Sequence, residues 1–170
     1  ELREAFDSIY PDWIISMAVP VSNWSVQHYD FAQLKQYVTF FNAMTYDIHG
    51  SWTSDAGHNS PLYQSPPGDP DGSVSTGINY LKNTRGVEAQ KLNVGIPFYG
   101  KEYNTTDINE PFTGDVVSRL YNEYHGLIGN GWNYIWDNSG QVPYLQNDSQ
   151  TKIITIEDSL SVSLKSEYAI

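Results

Sequence analysis

Short apolar runs closed by proline or glycine punctuate this chain. Ile14–Val19 ends at Pro20, Val38–Tyr46 runs towards Gly50, and Leu92–Ile96 ends at Pro97. Runs this short, bounded by turn residues, predict buried strands rather than helices. Helical spacing fills the gaps. Glu1–Ser8 reads as the tail of a helix. Over Tyr29–Tyr37, Phe31, Leu34 and Tyr37 or Val38 recur on one helical face, with Asp30 placed to cap it. Val74–Arg85 predicts a further helix, capped by Ser73 or Ser75, with Ile78 and Leu81 facing inward and Gly86 as its stop. Strands alternating with helices across long connections are what a parallel sheet with crossovers requires.

Two stretches break this rhythm. Residues 51–76 form a long loop containing Pro61, Pro66, Pro67, Gly68, Pro70 and Gly72. Loops of that length in a compact domain usually carry function. From Tyr99 to about Ile156 the chain changes to short, aromatic- and Gly-rich β-like pieces, which predicts an inserted subdomain. Thr155 or Asp158 then opens a last helix through about Ala169.

The candidate chemistry lies at the end of the second strand. Phe40, Phe41, Ala43 and Met44 give way abruptly to Tyr46–Asp47. A phenol and a carboxylate just past a buried parallel strand stand where α/β architectures place their sites. Strict alternation would send the two side chains to opposite faces. Both can serve one site only if the strand ends near Tyr46 and Asp47 already belongs to the loop.

The wording Met44-x-Tyr-Asp-x-x-Gly-Ser-Trp52 resembles the sixth barrel strand of the family-18 glycoside hydrolases, the chitinase family. Four further segments resemble that family in the same order. Trp13–Pro20 is similar to its fifth strand and Leu92–Lys101 to its seventh strand and following turn. Trp136-Asp137, Val142–Leu145 and Ile154–Leu160 resemble its insertion domain and the helix after it. The resemblance implies an α/β fold: a partial (β/α)8 TIM barrel, about strands 5 to 7, with an inserted α+β subdomain. On that reading residues 1–98 hold the barrel strands with their helices and loops, 99–156 the insertion subdomain, and 157–170 the helix after strand 7. The family's Asp-x-x-Asp-x-Asp-x-Glu run, which carries its acid, does not occur in the sequence, nor does the final strand with its tryptophan floor. The chain therefore reads as the second half of a barrel whose missing half is a necessary partner.

The resemblance also implies roles. Family-18 enzymes use the substrate's own 2-acetamido oxygen as nucleophile, while an enzyme acid protonates the leaving oxygen. Tyr46 would hydrogen-bond the acetamide carbonyl, and Asp47 would bind a hydroxyl or amide nearby. Met44, sharing parity with Tyr46, would line the floor. Trp52 would stack on a sugar or cover the loop, and Tyr144 would overhang the cleft. Lys101 stands where many members carry arginine, so it keeps the charge without the bidentate fork. The implied activity is cleavage of β-1,4-linked N-acetylglucosamine with retention, the parent acting as an enzyme on chitin or its oligosaccharides and secreted from the cell. A non-catalytic, lectin-like relative, or a member acting on peptidoglycan or N-glycan cores, would share the same residues.

Composition narrows the partners. The 170 residues carry a net charge of −11, which repels nucleic acid and anionic membranes. No apolar window approaches the roughly 20 residues of a membrane-spanning helix, and the first residues carry no signal-peptide pattern. There is no cysteine, so neither a disulfide framework nor a thiolate metal site is available. Tyrosine (13) and tryptophan (5) are plentiful, and their faces stack well on sugar rings. No cofactor and no metal is expected. His28, His49, His58 and His125 lack ligand spacing in sequence, and Asp69-Pro-Asp-Gly-Ser opens like a calcium loop without its later ligands, which predicts a plain turn. Glu157-Asp158 is expected in the first turn of the last helix, complementing its dipole. Asn23-Trp-Ser, Asn104-Thr-Thr and Asn147-Asp-Ser are glycosylation sequons that matter only in a eukaryotic host.

Overall fold

The computed structural model describes residues 1–170. It contains two compact units, Glu1–Met44 with Gly77–Gly95, and Thr45–Thr76 with Ile96–Ile170. No helix is long and apolar enough to cross a membrane.

The first unit is built on three parallel strands, β1 (Ser16–Val19), β2 (Phe40–Ala43) and β3 (Leu92–Val94), in the order β1-β2-β3. Each is shorter than its apolar run, because hydrophobicity marks burial and not the end of backbone pairing. Hydrogen bonding still reaches past the strands, from Met44 N–H to Val19 O at 2.9 Å and from Gly95 N–H to Ala43 O at 3.0 Å. Phe41 and Ala43 alternate into the core while Phe40 and Asn42 stay half-buried. Phe31 packs edge-to-face on Phe41, with ring centroids 5.4 Å apart. Asp30 does cap its helix, accepting from Gln33 N–H at 3.1 Å. That helix is one turn, Phe31–Leu34, and not the longer span the spacing predicts. The helix at Val74–Asn79 continues as a π-helical turn through Thr84, with Ile78 and Leu81 buried as expected and Gly86 at φ +69° after it.

The second unit is an antiparallel sheet of five strands, β4 (Tyr99–Asn104), β5 (Thr113–Leu120), β6 (Trp132–Asp137), β7 (Val142–Asn147) and β8 (Ile153–Thr155). Their order is β5-β4-β8-β7-β6. Neighbouring residues of a strand point to opposite faces, so the sheet carries two cores. One gathers Ala56, Tyr103, Tyr144 and Ile153, the other Tyr124, Leu145, Ile154 and Ile156. Ala56 places the long loop on this sheet. Its backbone bonds Glu110 O at 2.9 Å and Asn109 N–H at 2.7 Å, and Leu62 N–H bonds Gly140 O at 2.8 Å. Loop 51–76 therefore folds with the second sheet, although sequence order groups it with the parallel strands.

The last helix, Ser159–Tyr168, is capped by Asp158, which accepts from Ser161 N–H at 2.8 Å. Glu157 departs from expectation. It precedes the cap, is buried, and pairs with the buried Lys165 while accepting from Ser161 Oγ at 2.7 Å. A buried carboxylate needs a partner far more than a helix end needs a charge.

Candidate active site

Past β2 the backbone leaves the extended region at Asp47, whose φ is +56°. Aspartate tolerates this left-handed conformation better than most residues. Asn59 holds the turn from both sides. Its Oδ1 accepts Asp47 N–H at 3.0 Å and its carbonyl accepts Ile48 N–H at 3.1 Å. Its Nδ2 donates to Tyr99 O at 3.0 Å, tying the turn to β4. β2 ends at Ala43, earlier than the Tyr46 end that alternation asks for, so Tyr46 and Asp47 both lie in the segment past the strand and the strict two-face rule does not separate them.

On β4, Tyr99 and Lys101 share a face. Gly100 between them is obligatory, because a Cβ there would overlap the Thr155 carbonyl oxygen of the neighbouring strand. Lys101 Nζ lies 2.8 Å from Asp47 Oδ1. It also sits 5.3 Å from the Tyr99 ring centroid and 5.7 Å from that of Trp52, within cation–π reach of both. The Trp52 ring lies directly over Gly50, where any side chain would collide with it. Tyr46 meets Tyr99 edge-to-face, centroids 6.2 Å apart at 75°.

Burial, and then Asp47 beside it, pushes the Tyr99 phenol well above its ordinary range. Tyr99 is therefore a protonated donor at neutral pH. The site joins three aromatic rings, one buried cation and one carboxylate whose side chain remains 42% exposed. Such a set can stack on an apolar sugar face while offering fixed charge and donors to its polar substituents.

Of the residues singled out in the sequence, Tyr46, Asp47, Trp52 and Lys101 come together. Tyr144 does not overhang a cleft. Its side chain is buried, its hydroxyl donates to Asp107 Oδ1 at 2.6 Å, and its ring packs on His58 at 5.9 Å. The β7 register faces it into the sheet core, opposite Ile135 and Thr155. Met44 is half-buried in the first unit, just past the end of β2. Tyr99 and Asn59 are additions that sequence reading alone does not single out. Parity with Lys101, two residues on in an alternating strand, is a signal that could have found Tyr99. Asn59 leaves none, since its role depends on a fold-back of the long loop.

Comparison with known proteins gives the family. Residues 1–170 match the family model of Glycosyl hydrolases family 18. An endochitinase of Manduca sexta is 30% identical over 99% of the chain, which covers 34% of that protein. Among solved structures, the Group IV chitinase of Ostrinia furnacalis in complex with allosamidin is 29% identical with a TM-score of 0.86; the match covers 99% of this chain and 50% of that one. Catalytic domain 2 of the Group II chitinase of the same insect, an E2180L mutant in complex with penta-N-acetylchitooctaose, is 28% identical with a TM-score of 0.84, over 99% of this chain and 47% of that one. The chain thus spans about a third of the length of the curated endochitinase it matches.

Proposed function

This chain belongs to glycosyl hydrolase family 18, and on that premise we propose that the full-length protein hydrolyses β-1,4-linked N-acetylglucosamine polymers of the chitin type, outside the cell, by a substrate-assisted, retaining mechanism. In this reading the first unit supplies strands 5 to 7 of a (β/α)8 barrel. Tyr46 donates to the acetamide carbonyl as its oxygen attacks the anomeric carbon. Asp47 orients the acetamide N–H or a ring hydroxyl, Lys101 holds that carboxylate in place, and Trp52 and Tyr99 stack against the sugar. The general acid comes from residues outside 1–170, because the sequence carries no Asp-x-x-Asp-x-Asp-x-Glu run. The isolated chain is accordingly expected to be inactive.

The observation that carries this reading is the 2.8 Å Asp47–Lys101 contact beside the Tyr46–Tyr99 pair. It gathers a carboxylate and two phenols around one buried cation. The similar structures bound to allosamidin and to a chito-oligosaccharide lend support. Tyr46→Phe in the full-length protein tests it. A bond that strengthens in the transition state should be lost from kcat, by about a hundredfold, while affinity for an unreactive product changes little. An unchanged kcat would remove Tyr46 from the mechanism.

A further inference from the structure

The turn that reads as an incomplete calcium loop has a third polar neighbour that sequence spacing conceals. His49, Asp69 and Asp71 bring one ring nitrogen and two carboxylate oxygens to within 4.8 Å of one another. His49 Nε2 is 3.1 Å from Asp69 Oδ2 and 3.7 Å from Asp71 Oδ2. His49 Nδ1 lies 3.0 Å from the His58 carbonyl oxygen, which can only accept. Nδ1 therefore donates to that carbonyl, which leaves Nε2 facing the two carboxylates.

Asp69 is equally poised. Its Oδ1 accepts Asp71 N–H at 2.9 Å, but its Oδ2 is buried without any hydrogen-bond partner. The side chains of His49 and Asp69 are each only 5% exposed. A buried carboxylate oxygen with no hydrogen-bond partner is costly unless a positive charge reaches it. An imidazolium N–H pointed at Oδ2 would supply one, yet Nε2 and Oδ2 are not aligned as a hydrogen bond despite their 3.1 Å separation. Ligand atoms about 2.0–2.2 Å from a common ion stand about 3.0–3.6 Å apart in octahedral or tetrahedral arrangements. The separations of 3.1 and 3.7 Å fall close to that spacing.

We propose that His49 Nε2, Asp69 Oδ2 and Asp71 Oδ2 bind a first-row divalent cation, with Zn2+ preferred. One imidazole and two carboxylates suit zinc, whereas calcium needs about six to eight oxygens. The Asp71 side chain is 40% exposed, which leaves the remaining coordination positions to water. The cation would pin the Asp69–Asp71 turn to the turn that carries Asp47. It has no part in the hydrolytic step proposed above and stands or falls without it.

The test is calorimetric titration of ZnCl2 into the full-length protein after chelator treatment, beside Asp69→Asn and Asp71→Asn. Asp71 is exposed, so its variant should keep the fold, checked by circular dichroism. The expected result is one Zn2+ per chain, a raised melting temperature on binding, and affinity lowered at least about tenfold in each variant. A Co2+ adduct should show visible d–d absorption that Asp71→Asn weakens. No saturable zinc binding up to millimolar, or equal affinity in both variants and the parent, would overturn the proposal. So would a His49 ring protonated at both nitrogens with zinc present, read by 15N chemical shift.

Discussion

Lys101 reaches the Asp47 turn from β4, Nζ to Oδ1 at 2.8 Å, and the two ends of the contact are unequally buried: 11% of the Lys101 side chain is exposed against 42% of Asp47. The sheet thus anchors the cation while the carboxylate faces outward. Lys101→Met should leave Asp47 in its left-handed turn, its backbone N–H still donating to Asn59 Oδ1, but without its counter-charge. A hydrogen bond to a charged group contributes about 1.5–3 kcal/mol, so kcat/KM of the full-length protein should fall about ten- to a hundredfold. Lys101→Arg, which keeps the charge, should retain most activity.

Gly100 sets that anchor. Alanine there would overlap the Thr155 carbonyl and force β4 from β8. Gly100→Ala should destabilise the protein by about 1–3 kcal/mol or more, read as a lowered denaturant midpoint, and should weaken activity through the displaced Lys101.

Glu157 and Lys165 make the most deeply buried ion pair of the second unit. Burial pushes the Glu157 carboxyl up and the Lys165 ammonium down, so each depends on the other to stay charged. Lys165→Ala should cost about 3–5 kcal/mol in unfolding free energy, because it strands a buried carboxylate. Glu157→Leu combined with Lys165→Met should recover most of that loss. A double variant no more stable than the single one would contradict this account.

His58 predicts a pH dependence. It is fully buried, and burial holds its imidazole below its ordinary value of 6.5 despite the Asp137 carboxylate at 2.9 Å. Below pH 6.5 the unfolded chain takes up a proton that the native state refuses. Stability from this group is therefore complete above about pH 6.5 and declines as pH falls, until the buried ring itself protonates. The limiting slope is about 1.4 kcal/mol per pH unit. Thermal melts between pH 7 and 5 should show the decline, and His58→Gln should flatten it.

What the sequence reveals is what lies close along the chain. Tyr46 and Asp47 are neighbours at the end of an apolar run, and Trp52 follows within the same segment, so the local pattern displays them. Lys101 is visible through its strand. Asn59, Tyr99 and the His49–Asp69 contact depend on where the long loop folds, and no periodicity records that. Tyr144 misleads for a related reason. Its element was legible, but the face it presents is decided by the pairing of β7 with β6 and β8. Glu157 misleads because an acidic residue beside a cap looks the same whether or not a lysine two turns on is buried against it.

The central claim is that Tyr46 and Asp47 hold the substrate's own acetamide for attack. It is tested most directly by turnover of two oligomers of equal length by the full-length protein, one fully N-acetylated and one fully de-N-acetylated. The account predicts rapid cleavage of the first and none above a buffer blank for the second, with Tyr46→Phe sharply reducing the difference by slowing only the acetylated substrate. Comparable cleavage of both oligomers would contradict it.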